Sequence, residues 1–304
     1  MNPMRYRSSG FVLAMTILSP VHAATERQPI GFIESITGDV KLNEQKLDPT
    51  KDAGRILYAG ESIRCVGSAT VLIQLDDGPH DCKSAPSAIA KIHAGEGARS
   101  LEQLEKYKLA GRAKGTESPI YSPPEGGAVM AGKFVTRWRI RPPLGKLTVA
   151  LRNGKGAELW HLENVDGASG VLDSDAARKA LTAYRDNGDS IHQAKLVFKD
   201  EAGVEVGVAF TVLTREQERA LEKELGQLNT GLKLFHHVQR ASVFDSYRMY
   251  DMVAAEYDLA LNDATESRDL LRAAMNAHAR TGNLSRAREL RDQLSKVEEP
   301  DAKP

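Results

Sequence analysis

The chain has 304 residues, with 41 Lys and Arg balanced by 41 Asp and Glu. This length predicts about two domains and leaves room for a small third one. Because the charges balance and are mixed along the chain, the composition disfavours nucleic-acid binding, which needs clustered excess positive charge.

The first 23 residues have the pattern of a cleavable secretory signal. A short basic start is followed by an apolar run over 11–18, and small residues precede a predicted cleavage between Ala23 and Ala24. The run is only about half as long as the roughly twenty residues that a membrane span needs. We therefore expect a bacterial periplasmic or secreted protein that is soluble and has no membrane span once the signal is removed.

The sequence contains two cysteines, Cys65 and Cys82. Exported proteins usually pair cysteines that stand this close together, so we predict a structural disulfide between them. A metal site and a reactive thiol are the alternatives. No further ligands stand at zinc-like spacing in the sequence, which disfavours the metal site.

Residues 28–93 carry short apolar runs separated by Gly and Asp, a pattern typical of a small all-β domain. The apolar run 71–75 ends at Asp76-Asp77-Gly78, which indicates a strand followed by a turn. A further strand is predicted over 88–92.

This predicted β-domain also contains an ordered set of motifs: Gly38-Asp39-Val40, Gly54, Leu57, Gly60-Glu61-Ser62-Ile63, Gly67-Ser68-Ala69-Thr70-Val71 and Asp77-Gly78. Together they resemble the FecR-type periplasmic domain. The resemblance implies a receptor-coupled or cell-envelope partner. Regulators of that family also carry a cytoplasmic anti-sigma segment and a membrane helix. Neither has a counterpart in this sequence, so we expect no direct contact with a sigma factor.

Residues 94–132 are predicted to connect two domains. Leucines at 101, 104 and 109 with Glu and Lys between them indicate a short helix over 98–109. The stretch 115–132 then contains three prolines and several glycines, a composition that disfavours a helix and a central strand. We interpret this stretch as an interdomain linker.

Residues 133–213 return to β-character. The alternation from 134 to 140 predicts a strand that turns Trp138 toward the core and its arginines outward. A helix is predicted over 175–185, and a hairpin over 196–212. Further strands are predicted at 147–151 and 158–162. Several short strands around a buried tryptophan favour an immunoglobulin-like β-sandwich.

From residue 214 the pattern is helical. Thr214 and Gln217 predict a capping box at the start of the first helix, within a helical region over 214–298. Residues 299–304 are predicted to form a disordered tail.

Part of this helical region, 234–298, shows a repeat of 34 residues. Val253, for example, recurs as Ala287, and Gly282 fits a turn between two helices. The spacing resembles two degenerate tetratricopeptide repeats. Arg248 and Arg291 depart from the signature of that repeat, and a plain bundle of helical hairpins is the alternative.

Two basic surfaces are candidate partner-binding sites. The first consists of three arginines on one face of the predicted strand, able to bind carboxylates through two hydrogen bonds each: Arg137, Arg139 and Arg141. The second consists of three residues spaced four apart on one helix face, where a tetratricopeptide-like fold would place its concave groove: Arg272, Asn276 and Arg280. Solvated faces of a strand and a helix are the alternatives.

We find no pattern that predicts a catalytic, metal or cofactor site. His236 and His237 are neighbours and would point about 100° apart on a helix, so they cannot chelate one ion together. Asp76 and Asp77 precede a glycine and suit a turn. The pair at 80–81 lies beside Cys82, whose disulfide would abolish a nucleophile.

These observations predict a multidomain, non-catalytic adaptor or sensor of the cell envelope that binds a protein partner. Its parts would be a FecR-like β-domain, an immunoglobulin-like sandwich and a tetratricopeptide-like helical region. A peptidoglycan- or polysaccharide-binding protein is the alternative, and a hydrolase with an unrecognised site is a third hypothesis.

Overall fold

The structure is a computed structural model that describes residues 29–75, 78–83, 86–88, 96–109, 117–140, 145–187, 192–228 and 230–298. The predicted signal, with its cleavage at Ala23 and Ala24, and the predicted tail lie outside these ranges. β-Sheets precede a helical C-terminal region, which confirms the predicted mixed, multidomain architecture at this level. No helix in these ranges is both long and apolar enough to cross a bilayer.

The N-terminal β-unit, residues 29–88, is one antiparallel sheet in which two long strands pair at the centre. Its strands are β1 (Pro29–Leu42), β2 (Gln45–Lys46), β3 (Ile56–Tyr58), β4 (Ser62–Leu75), β5 (Gly78–Lys83) and β6 (Pro86–Ala88). The order is β2-β1-β4-β5, with β3 on β1 and β6 on β4. Of the predicted strand 88–92, Ala88 alone lies within the described residues.

A glycine allows the two central strands to approach each other. Gly38 has a φ of +81° beside an irregularity of register in β1. A Cβ atom at this position would lie 3.0 Å from Ala69 of β4. Both the left-handed backbone and the close approach therefore require glycine.

Helix α1 (Glu96–Leu109) contains the predicted helix over 98–109 and begins two residues before it. Leu101, Leu104 and Tyr107 lie three residues apart along it and are buried. This spacing places them on one face of the helix, which is the face that packs against the rest of the protein.

The central β-unit, described over 117–140, 145–187 and 192–213, consists of two sheets around one core. A three-stranded sheet has the order β12-β9-β7, and a five-stranded sheet has the order β11-β10-β13-β14-β8. The elements are β7 (Ile120–Ser122), β8 (Ala128–Val129), β9 (Thr136–Arg139), β10 (Lys146–Asn153), β11 (Glu158–Asp166), β12 (Ser169–Leu172), α2 (Asp175–Asn187), β13 (His192–Asp200) and β14 (Glu205–Val212). Trp138 is buried between the sheets, 5.2 Å from the ring of Phe198. The predicted inward orientation of Trp138 and the predicted hairpin are confirmed.

The interpretation of residues 115–132 as a linker is wrong for the part that the structure describes. Within this stretch, β7 pairs with β9 and β8 pairs with β14, each at the edge of its sheet. Ile120 and Ala131 are fully buried in the core of the central β-unit. The prolines flank these short edge strands, where a missing N–H donor costs no ladder hydrogen bond.

The helical region, residues 215–298, consists of consecutive helices joined by short turns: α3 (Arg215–Gly226), α4 (Lys233–Ser246), α5 (Tyr250–Asp263), α6 (Arg268–Thr281) and α7 (Leu284–Glu298). The capping box of Thr214 and Gln217 is present at the start of α3. The turns after α4 and α6 both contain a left-handed residue, Arg248 with a φ of 60° and Gly282 with a φ of 81°. These positions are 34 residues apart, so the two helical hairpins turn in the same way.

The N-terminal β-unit, α1 and the helical region share one apolar core. Phe32 of β1 lies 5.7 Å from the ring of Phe235, and Tyr107 of α1 lies 5.6 Å from the ring of Tyr257. Glu34 of β1 is also buried, and its carboxylate accepts hydrogen bonds from the first backbone amides of α4. Helix α1 thus packs against the first helix of each hairpin, α4 and α6.

Candidate functional site

A cleft of about 510 Å³ lies between the central β-unit and the helical region. One wall is formed by β7 and β9, and the other by α5, α6 and α7. Backbone hydrogen bonds join the two sides, from Ala128 to Arg248 (3.0 Å) and from Ser118 to Gly282 (3.2 Å). A volume of this size is typical of ligand-binding clefts.

Two of the predicted partner-binding residues, Arg137 and Arg139, line this cleft from the β9 side. They are two residues apart on one strand, so both side chains project from the face of the sheet opposite to that of Trp138. Neither guanidinium has a hydrogen bond or an ion pair with any residue that the structure describes. Arg141, the third predicted arginine, lies outside the described residues.

Asp251, at the start of α5, faces these arginines from the helical wall. Its carboxylate accepts hydrogen bonds from the Ser122 hydroxyl (2.7 Å) and from the amide of Met252 (2.9 Å). Burial raises the pKa of Asp251 above its usual value, although the bond from Ser122 and the charge of Arg137 oppose this shift. The contact with Ser122 fixes the two walls to each other.

A second group of polar side chains extends along the helical wall. Asp258 of α5 is hydrogen-bonded to His278 of α6 (2.8 Å) and accepts a bond from Arg286 of α7 (3.1 Å). Burial alone would raise the pKa of Asp258, but His278 and Arg286 together hold it below its usual range. Arg286 also pairs with Glu289 (3.2 Å). Arg286 is therefore held in ion pairs, whereas Arg137 and Arg139 form none with the described residues.

The polar groups of the cleft do not form the relay that a serine hydrolase needs. Such an enzyme places a base within hydrogen-bond reach of the nucleophilic hydroxyl. The Ser122 hydroxyl instead bonds to Asp251 and to the carbonyl of Val135 (3.2 Å). Across the described ranges, no hydrogen bond connects Ser122 with His278. The arrangement suits recognition by charge and hydrogen bonding.

The second predicted surface, on α6, is placed differently. Asn276 is 5% exposed, and its side-chain amide donates to the backbone carbonyl of Tyr107 in α1 (2.6 Å). Arg280 lies 3.8 Å from the ring centre of Tyr250 and donates to the Tyr107 hydroxyl (2.9 Å). The residues predicted to line an open groove therefore hold a helix of the same chain.

Arg272, the third residue of this surface, is partly exposed and pairs with Glu298 of α7. It also lies 3.9 Å from Asp269 on its own helix. Its charge is thus compensated within the helical region as well.

The predicted disulfide stays a prediction. Cys65 is buried in β4, and the backbone of Cys82 in β5 pairs with Val71. The side chain of Cys82 lies outside what the structure describes. Of the two histidines at 236–237, His237 bonds to Glu256 (2.8 Å) on α5, and the centres of the two rings lie 6.1 Å apart.

Sequence reasoning missed the helical wall of the cleft. Asp251, Asp258, His278 and Arg286 are spread over three helices. The 34-residue spacing predicts that such helices pack side by side, and this could have suggested the contact between Asp258 and His278. Nothing in that spacing indicates that the central β-unit faces them.

Comparison with known proteins gives little further information. No known family model matches the chain. No curated protein matches it significantly. Among solved structures, CopC from Methylosinus trichosporium OB3b is 16% identical and covers 31% of this chain and 89% of its own, with a TM-score of 0.20. A likeness at this score carries no argument about fold or function.

Proposed function

We propose that the protein is a non-catalytic adaptor or sensor of the bacterial periplasm, and that it binds an acidic segment of a cell-envelope protein in the cleft between the central β-unit and the helical region. The observation that carries this proposal is the pair of guanidiniums on one wall, Arg137 and Arg139, that have no hydrogen bond or ion pair with a described residue. Arginine binds carboxylates through two parallel hydrogen bonds, so the pair suits a segment with neighbouring acidic side chains.

The remaining lining of the cleft supports a peptide ligand. Leu259 of α5 is 45% exposed and lies beside small side chains at 254 and 255. An apolar contact surface with a few placed polar groups is the usual composition of a recognition site. Acidic side chains of the ligand would bind the arginines, and its apolar side chains would pack on α5.

The proposal includes the finer assignments made from the sequence. The N-terminal β-unit would be a FecR-like domain, the central β-unit an immunoglobulin-like sandwich, and α4 to α7 two tetratricopeptide-like hairpins. The matching left-handed turns at Arg248 and Gly282 support the last of these. Export would follow from the signal pattern of residues 1–23, and would allow Cys65 and Cys82 to pair.

Photo-crosslinking in intact cells tests the proposal. A photoreactive amino acid at position 259, in the cleft, is compared with one at position 204, an apolar residue of the central β-unit that is 57% exposed and does not line it. We expect position 259 to capture a discrete envelope protein that position 204 does not capture.

Charge reversal then tests the role of the arginines. The double variant Arg137→Glu/Arg139→Glu should abolish the crosslink from position 259. Arg219→Glu, which changes an exposed arginine of α3 outside the cleft, should preserve it. Equal crosslinking in both variants would contradict the proposal. Retention of the protein on purified cell wall, without any crosslinked protein, would favour the polysaccharide-binding alternative.

A further inference from the structure

A second cleft, of about 880 Å³, lies on the central β-unit. It is bounded by α2, by the turn between β10 and β11, and by the first residues of β13. None of the described arginines assigned to partner binding lines it. Its function is therefore separate from the one proposed for the first cleft.

His192 is the unusual residue of this cleft. It is the first residue of β13, where it pairs with Val212, and it is 5% exposed. Its ring meets that of Tyr184 edge to face, with 5.6 Å between the ring centres. In the part of the chain that the structure describes, the imidazole has no hydrogen-bond partner.

Although His192 is 5% exposed as a whole, its ring nitrogens are not fully enclosed in the described structure, and polar groups this near the interior are almost always hydrogen-bonded to the protein or to a bound molecule. His192 lines the cleft, so a bound molecule can reach it. One ring nitrogen of a neutral imidazole donates and the other accepts. A ligand hydroxyl can satisfy either, because it can both donate and accept.

The other lining residues indicate a neutral ligand. Among the described lining residues, the rim carries one cation and one anion, Lys155 and Glu158, and Glu158 is held by His161 (2.6 Å). The amide side chains of Asn187 and Gln193 can donate and accept, as a hydroxyl can. These groups offer no net charge to attract a phosphate or a carboxylate.

An aromatic ring and small apolar side chains complete the surface. The hydroxyl of Tyr184 donates to the backbone carbonyl of Gln193 (2.8 Å), which fixes the ring against β13. Leu159 and Ala183 lie nearby. A rigid apolar ring beside several hydroxyl-binding groups matches the two kinds of surface on a sugar, its C–H face and its hydroxyl edge.

We infer that this second cleft binds a saccharide, with His192 hydrogen-bonded to a sugar hydroxyl and the ring of Tyr184 packed against a sugar face. The site would give the protein a contact with envelope glycans in addition to its protein partner.

Nuclear magnetic resonance of the imidazole nitrogens tests this inference on the full chain. The protein, labelled with ¹⁵N, is titrated with two probes, a β-1,4-linked N-acetylglucosamine trisaccharide and maltotriose. We expect at least one probe to shift the His192 signals saturably. The signals of His278, in the first cleft, should stay unchanged and serve as the internal control.

Variants decide whether the shift reports the proposed site. Tyr184→Ala and His192→Phe should each weaken saccharide binding by about tenfold or more, while Arg137→Ala should bind as the wild type does. If His192→Phe does not fold, Tyr184→Ala carries the test by itself. The inference is overturned if neither probe shifts the His192 signals, or if these variants bind as tightly as the wild type.

Discussion

Arg280 of α6 and Arg137 of β9 are both arginines on a regularly patterned face, yet their surroundings differ. Arg280 lies over the ring of Tyr250 and bonds to Tyr107 and to Asp245 (3.1 Å). Arg137 is exposed in a cleft and has no hydrogen bond or ion pair in the described ranges. The first stabilises the fold, and the second is available to a ligand. Whether a guanidinium is already compensated therefore distinguishes the two surfaces better than its position on an element does.

The largest expected difference in stability between the α6 surface and the first cleft is that between variants of two tyrosines. Tyr107→Ala should lower the free energy of unfolding by about 3–5 kcal/mol, because it removes a buried ring from the shared core. Tyr121→Ala, in the first cleft, should lower it by no more than about 1 kcal/mol, since Tyr121 is only partly buried. Urea-induced unfolding followed by circular dichroism measures both values. Equal losses would show that the two surfaces do not differ as described.

Glu34 extends the comparison to a carboxylate with a structural role. Its oxygens accept from the amides of Leu234 (2.8 Å) and Phe235 (3.0 Å) at the start of α4. Glu34→Ala leaves these buried donors without an acceptor and should lower the free energy of unfolding by about 2 kcal/mol. Glu34→Gln keeps one acceptor oxygen and should lose less. The comparison fails here if both variants unfold at the same urea concentration as the wild type.

Replacing Arg280 and Arg137 in turn should change the free energy of unfolding by smaller amounts. Arg280→Ala removes a hydrogen bond to a buried tyrosine and a ring contact, and should lower the free energy of unfolding by about 1–2 kcal/mol. Arg137→Ala should change it by less than about 0.5 kcal/mol. The same urea unfolding curves provide the measurement. A larger loss from Arg137→Ala would mean that this side chain contributes to the fold after all.

The smallest expected effect is a dependence on pH. Burial raises the pKa of Glu34 above its usual value of 4.5, although backbone hydrogen bonds oppose this shift. The folded state then binds a proton more readily than the unfolded state between these two pKa values. The free energy of unfolding should therefore fall as the pH rises through this window.

Glu34→Gln lacks this titration and provides the matched reference. The stability of the wild type relative to this variant should decrease as the pH rises above about 4.5. Urea unfolding of both proteins at several pH values measures the difference. A difference that is constant or grows with pH would show that the folded protein does not raise the pKa of Glu34.

The elements that the sequence predicted are those whose apolar residues recur at regular spacing because one face packs on a core. Strand β9 was predictable because residues 136–139 alternate between the core and the cleft, and α1 because its leucines recur at helical spacing. The edge strands β7 and β8 were missed, because each has only two or three residues and prolines lie beside them. Such strands are specified by their pairing partners in the sheet and leave almost no local signal.

The sites were predictable only in part, for a related reason. The alternation of apolar and polar residues in β9 was sufficient to predict that Arg137 and Arg139 point away from the core. The hydrophobic period of α1 identifies its buried face, but it does not specify the surface on which this face packs. The sequence therefore could not show that α1 covers Asn276 and Arg280. The position of His192 at the edge of the second cleft is likewise a property of its surroundings, which only the three-dimensional structure provides.

The core shared by the first strands and the last helices has a consequence for the order of folding. Glu34 and Leu234 are 200 residues apart, and Phe32 meets Phe235 in the same place. Contacts over such separations form late, because a long loop must close before they contribute. A nascent chain that has not yet reached α4 would therefore leave Phe32 in water, and ribosome-bound intermediates should be sensitive to proteases until the C-terminal helices have been synthesised.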